Sequence, residues 1–205
     1  MRGTMLSILA GSALALGSTA ANATAYVGST TGCFGAACST HNTTTTTGGL
    51  TFNQGTFNQN DSNGFLAIGS GNPPTDTLGL FTLTGAANTY NTPFTLFVTF
   101  TQPGSVNGSF VAAITGSVSG DNTGGIFINF DNTPQLFTYA GGAFTLMVND
   151  LGVSASGVAT PITGIINAVP VPEPATWALM LLGFGGIGMA VRRRRHSSQT
   201  LMQIA

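Results

Sequence analysis

Between residues 50 and 168 apolar and polar positions alternate. Phe94, Leu96, Val98 and Phe100 interleave with Thr95, Phe97, Thr99 and Thr101, and Phe144, Leu146 and Val148 interleave with Thr145, Met147 and Asn149. Ile126, Ile128 and Phe130 repeat the device. A period of two sends successive side chains to opposite faces of a pleated chain, so each run predicts a half-buried strand. Residues 65–68, 78–84, 110–118, 136–139 and 162–168 have the same strand character. Between them stand turn clusters, among them Asn72-Pro73-Pro74, Gln102-Pro103-Gly104, Asp131-Asn132-Thr133-Pro134 and Gly141-Gly142. These supply the proline or positive-φ geometry that a reversal needs. Closely spaced strands without helical periodicity predict an all-β fold, an antiparallel β-sandwich of jelly-roll or immunoglobulin-like type, over residues 50–168.

Two other apolar runs follow a different rule. Residues 1–23 begin with Arg2, continue through an uncharged stretch from Met5 to Leu16, and end in small residues at Ala21-Asn22-Ala23. That is the layout of a secretory signal peptide, exported through the Sec translocon and cut by signal peptidase after Ala23, with Ala25 as a competing site. An N-terminal membrane anchor is the alternative, but the run is too short and Gly11 and Gly17 weaken it. At the other end Pro170, Pro172 and Pro174 forbid regular helix and hold Glu173 on an extended, solvated segment. From residue 175 to 191 no charge occurs; as helix this makes about 25 Å, slightly short of the usual spanning length. Trp177 stands near its outer end and Arg192, Arg193, Arg194 and Arg195 close the inner end, which predicts a transmembrane helix with the arginines cytoplasmic. Gly183, Gly185, Gly186 and Gly188 thin the helix, and Gly186 with Ala190 permits close helix approach.

Pro172-Glu173-Pro174-Ala175-Thr176-Trp177-Ala178, the Gly-rich apolar run and the arginine cluster occur in that order within the final residues. Together they resemble the PEP-CTERM sorting signal, in the variant Pro-Glu-Pro-x-x-Trp-Ala, of exopolysaccharide-producing Gram-negative bacteria. The resemblance covers residues 169–195, with the motif at 172–178, the span at 175–191 and the basic cluster at 192–195; the tail 196–205 is longer than the pattern requires. It implies recognition by an exosortase, a membrane-embedded, cysteine-dependent transpeptidase-like enzyme that cuts near Pro172-Glu173-Pro174. On that reading the helix holds the chain in the membrane only until processing, after which the protein reaches the cell surface or an extracellular, biofilm-forming matrix. The alternative is a binding module anchored permanently in the inner membrane and facing the periplasm.

Charge agrees with export and excludes several partners. Arg2 and the four C-terminal arginines account for all 5 basic residues, and lysine is absent. The exported part carries only Asp61, Asp76, Asp121, Asp131, Asp150 and Glu173, so it cannot neutralise phosphates and nucleic acid is excluded as a partner. Its Thr, Asn, Ser and Gly content keeps it soluble through hydroxyls and amides, which suit hydrogen bonding to an exopolysaccharide. Residues 24–49 are small and polar, ending in Thr43-Thr44-Thr45-Thr46-Thr47, and predict a flexible arm. Cys33 and Cys38, the only cysteines, predict a disulfide in an oxidising compartment. With His41 they could be imagined as metal ligands, but a fourth ligand is missing.

Catalytic chemistry is scarce. His41 is the sole histidine of the exported region, and no lysine or arginine is present to stabilise an oxyanion. Asp121 and Asp131 form the best available glycosidase pair, yet each begins an Asp-Asn-Thr sequence typical of Asx turns. Asp61-Ser62-Asn63-Gly64 and Asp121-Asn122-Thr123-Gly124 resemble the start of a calcium loop without its closing acidic ligand. The expectation is a non-enzymatic protein with no catalytic residue, cofactor or metal. Of the 14 phenylalanines all but Phe34 and Phe184 lie in the β region, where they predict a core rather than a sugar-stacking platform. The recurrences Thr51-Phe52-Asn53-Gln54 with Thr56-Phe57-Asn58-Gln59, and Phe-Thr-Leu at Phe81, Phe94 and Phe144, are too short to define a repeat architecture.

Overall fold

The computed structural model describes residues 23–36, 38–70, 76–85, 87–121, 123–169 and 174–199, with side chains in the C-terminal helix described over 178–192. The signal-peptide run, the Asn72-Pro73-Pro74 turn, Pro170, Pro172 and Glu173 lie outside the described residues. The strands are β1 (Ala25–Phe34), β2 (Thr44–Thr47), β3 (Leu50–Asn53), β4 (Thr56–Asn60) and β5 (Phe65–Ile68). After these come β6 (Leu80–Leu83), β7 (Asn88–Tyr90), β8 (Phe94–Gln102), β9 (Val106–Val118) and β10 (Gly124–Phe130). The last are β11 (Gln135–Tyr139), β12 (Gly142–Val148), β13 (Leu151–Ser154), β14 (Thr160–Pro161) and β15 (Gly164–Val169), and a single helix α1 (Pro174–Gln199) closes the described chain.

All strand pairs are antiparallel. One sheet runs β13-β10-β9-β8-β1-β4 with β7 added beside β9, and two four-stranded sheets run β11-β12-β15-β5 and β14-β6-β3-β2. The large sheet is one layer of a sandwich and the two small sheets share the other, because aromatic side chains of the large sheet reach both. Phe34 and Phe94 meet Phe52 and Phe81 of one small sheet, with Phe94 centred 5.0 Å from each. Tyr26 and Phe100 meet Phe144 of the other at 5.1 and 4.8 Å. Edge-on and tilted ring contacts of this kind add to the area they bury. The predicted sandwich is present, with seven strands facing four plus four.

The alternation sets the register as expected. Phe94, Leu96, Val98 and Phe100 are each fully buried, as are Phe144, Leu146 and Val148, while Thr99 and Thr101 face solvent. Fully burying such side chains contributes about 1.5–3 kcal/mol each. The Thr-Phe-Asn-Gln recurrence resolves into two strands of different sheets: Phe52 points into the core from β3 and Phe57 from β4, and the chain changes layer at Gly55 between them.

The flexible arm expected over residues 24–49 is overturned. β1 lies inside the large sheet, hydrogen-bonded to β4 on one side and β8 on the other, and β2 pairs with β3. Its inward positions are Tyr26, Gly28, Thr30 and Gly32, all buried. Two of these have no side chain because rings from neighbouring strands occupy the space. A Cβ on Gly32 would lie 2.5 Å from the Phe94 ring, and one on Gly28 would collide with the Phe57 ring and come within 2.6 Å of the Thr99 carbonyl oxygen. Small residues here are a packing requirement of the sheet. Thr30, 1 % exposed, is satisfied by three bonds: its N–H donates to Gly55 O at 3.0 Å, its hydroxyl donates to Leu78 O at 2.9 Å, and that hydroxyl accepts from Gly55 N at 2.9 Å. One buried hydroxyl thus ties β1 to the layer crossing at Gly55 and to the approach to β6.

Candidate functional site

The sandwich ends with β15, whose last residue Val169 pairs with Ala143. Helix α1 then starts at Pro174, a proline in the first turn, where the missing N–H costs nothing and the fixed φ favours the helix. It continues past the arginines to Gln199, so all four lie within its last turns, where cations complement the negative end of the helix dipole. At about 1.5 Å per residue α1 is about 39 Å long.

Over residues 178–192 its side chains project away from protein. Leu181, Leu182, Phe184, Ile187 and Met189 are between 64 % and 73 % exposed, and Gly183, Gly185, Gly186 and Gly188 have open space around them. Apolar exposure on this scale marks a contact surface for something other than water. Among the described residues no helix is long and apolar enough to cross a membrane. The expected span at 175–191 is therefore found as helix, while its described apolar part covers about 22 Å and is diluted by four glycines. Of the predicted motif residues, Pro174 and Trp177 lie in the first turn of α1 and Ala178 is exposed, and Arg192, also exposed, opens the basic cluster followed by Arg193, Arg194 and Arg195.

The other candidates serve the fold. Cys33 at the end of β1 and Cys38 are joined as a disulfide with Cα atoms 5.9 Å apart. His41 packs its ring 4.0 Å from that of Phe97, with Nδ1 3.2 Å from the Thr31 hydroxyl. Among the described residues no group of three or more His, Cys, Asp or Glu could hold a metal ion.

Each aspartate of the sandwich accepts a backbone N–H. Asp76 accepts from Asn58 at 2.9 Å and Asp150 from Phe130 at 2.8 Å. Asp131 accepts from the Thr133 N–H at 3.2 Å and its hydroxyl at 2.6 Å, and Asp121 from the Thr123 N–H at 3.3 Å and its hydroxyl at 2.7 Å. Both are the Asx turns their sequences predict. The Ser119 hydroxyl also donates to Asp121, and with the Thr123 bonds it holds this exposed carboxyl down at about 2. Asp121 and Asp131 flank the two ends of β10, whose length at about 3.3 Å per residue keeps them roughly 20 Å apart. A glycosidase pair requires about 5 to 9.5 Å.

Asp61 differs from the rest because it is only 8 % exposed. Its carboxylate accepts from Thr24 N at 2.8 Å while its own N–H donates to Thr24 O at 3.0 Å. Beside it, Tyr26 is pushed up to about 12, chiefly by burial and then by the negative charge of Asp61 and by Tyr139. The Thr24–Asp61 contact joins residues 37 apart and had no local signal.

Residues 170–195 match the family model of the PEP-CTERM protein-sorting motif. No curated protein and no solved structure matches the chain. The chain therefore carries a C-terminal address of the PEP-CTERM class. That motif implies an exported protein with a membrane-tethered intermediate, targeted to and processed by an exosortase.

Proposed function

We propose that the chain is a non-enzymatic protein of the cell surface or extracellular matrix, associated with exopolysaccharide, and that α1 is a temporary membrane tether. In this reading residues 1–23 are a secretory leader removed by signal peptidase after Sec export. Exosortase then cuts near Pro172-Glu173-Pro174. The observation that carries the proposal is the junction: the sorting motif begins at residue 170, directly after the last strand ends at Val169. A cut there removes no strand of the sandwich. The side chains that would be discarded over residues 178–192 are exposed rather than packed in its core.

In this reading α1 enters the bilayer before exosortase acts. An uncharged run of about 25 Å can be matched to a bilayer by local thinning and by snorkelling of its flanking residues. Arginine at bilayer depth costs about 2.5–3.5 kcal/mol, which keeps the cluster cytoplasmic and the sandwich outside. A surface role is supported by the outward face of the large sheet. There Ser29, Thr56, Asn58, Thr99, Asn107 and Ser109 offer uncharged hydroxyls and amides, groups suited to glycan hydroxyls.

Glu173→Gln and Pro174→Ala, each followed by fractionation of the producing cells, test the proposal. Wild type should be recovered outside without its C-terminal peptide, and the variants should accumulate in the inner membrane at full length. Wild type retained intact in the inner membrane would instead establish a permanently anchored periplasmic module.

A further inference from the structure

We infer that the exported chain is cut between Ala23 and Thr24, and that the ammonium group created on Thr24 is the counter-ion of Asp61. The inference rests on the reading of residues 1–23 as a secretory leader. Its ground is a buried carboxylate that meets no cationic side chain among the described residues. Asp61 is 8 % exposed, and a carboxylate at that depth is costly unless it is paired. Residues 24–168 contain no lysine and no arginine, and their one histidine, His41, packs on Phe97 and bonds Thr31. The nitrogen that does reach Asp61 is that of Thr24, 2.8 Å from Oδ1. In the unprocessed chain this nitrogen is a neutral amide. After hydrolysis of the Ala23–Thr24 bond, in which water gives its OH to the Ala23 carbonyl carbon and a proton to the Thr24 nitrogen, it is protonated to an ammonium in the same place.

The fold also decides between the two small-residue cleavage patterns. Cleavage after Ala25 would remove Thr24 with both of its bonds to Asp61, together with the first register pair of β1, Ala25 with Asn60. The new terminus would then sit on Tyr26, which is 1 % exposed. Cleavage after Ala23 keeps every strand residue and starts the chain at Thr24, which is half-buried, whereas Tyr26 is fully buried. Among the described residues the phenol of Tyr26 on β1 lies beside Asp61, with the Tyr139 phenol of β11 beyond it, and neither supplies a positive charge.

Absence of lysine makes the test specific, because the α-amine is the only primary amine of the protein. Protein purified from the producing cells is sequenced from its N-terminus, then acylated with an amine-reactive reagent in its native state and in urea. The expected result is a chain beginning at Thr24 whose amine reacts at least about tenfold more slowly when native, since raising its pKa by one unit alone cuts the free amine about tenfold. In Asp61→Asn the native protection should be lost. A chain starting at Tyr26, or native wild-type protein acylated as fast as in urea, overturns the inference while leaving the leader intact. A chain still beginning at Met1 overturns both.

Discussion

Replacing Thr30 by valine isolates the contribution of one buried hydroxyl to the closure of the sandwich. Valine keeps the shape and branching of threonine, so the core around β1 stays filled. What disappears is the oxygen that serves Gly55 N and Leu78 O, both at 2.9 Å. Gly55 is buried between β3 and β4, and an added Cβ there would collide with Thr77 O and Gly79 N. Water is therefore poorly placed to replace the hydroxyl. Leaving a buried donor or acceptor unpaired costs about 1–3 kcal/mol. Two such groups, offset in part by the easier burial of valine, give a loss of about 3 kcal/mol. For a domain of roughly 150 residues that corresponds to a fall in Tm of about 10 °C. Thr30→Ser keeps both hydrogen bonds and gives up one methyl, so it should lose about 1 kcal/mol. Thermal and urea unfolding of the purified exported protein measure both. A loss in Thr30→Ser as large as that in Thr30→Val would show that the methyl contributes as much as the two hydrogen bonds, and a Tm unchanged in Thr30→Val would remove the clamp altogether.

Gly32→Ala should destabilise by about 1–3 kcal/mol, because its methyl meets the Phe94 and Phe52 rings at 2.5 and 3.0 Å, whereas Gly120→Ala, with nothing within 4 Å, should be neutral in the same melting assay. The Asp121 carboxyl is held at about 2, below an ordinary aspartate near 3.9, so its contribution is present above about pH 4 and is lost as pH falls toward 2. Melting of wild type and Asp121→Asn across that window should show a gap that closes on acidification; a constant gap would contradict the turn assignment. Replacing Arg192, Arg193, Arg194 and Arg195 with glutamine should scramble or abolish retention of the tether, read by protease protection of a C-terminal tag in spheroplasts, and unchanged topology would count against the orienting role of these charges.

β5, β6, β8 to β12 and β15 were legible from their apolar runs, most clearly where bulky apolar residues alternate with threonine as in Phe94 to Thr101, whereas the short strands β13 and β14 were not. β1 was not, although it obeys the same alternation. Its inward residues are Tyr26, Gly28, Thr30 and Gly32, and the apolar mass that covers them belongs to Phe57, Phe94 and Phe52 on other strands. A pattern of side chains cannot report a position filled from elsewhere. β2, with four threonines, and the paired Thr-Phe-Asn-Gln segments are each too short to show a period; β2 is fixed by a hairpin with β3, while β3 and β4 are fixed by pairing to the distant strands β6 and β1. The sorting signal was legible because its determinants are local and in order, from the Pro-Glu-Pro motif through the apolar run to the arginines. The Thr24–Asp61 contact was not, since only folding brings those residues together; the sole advance hint was an exported region that has carboxylates and no lysine or arginine.

The intact mass of the protein as it leaves the cell tests the account most directly. The mass should lack everything beyond the Pro172-Glu173-Pro174 region, and the same strain without its exosortase should hold the full C-terminus in its membrane. A soluble extracellular molecule still carrying Arg192, Arg193, Arg194 and Arg195 would contradict it.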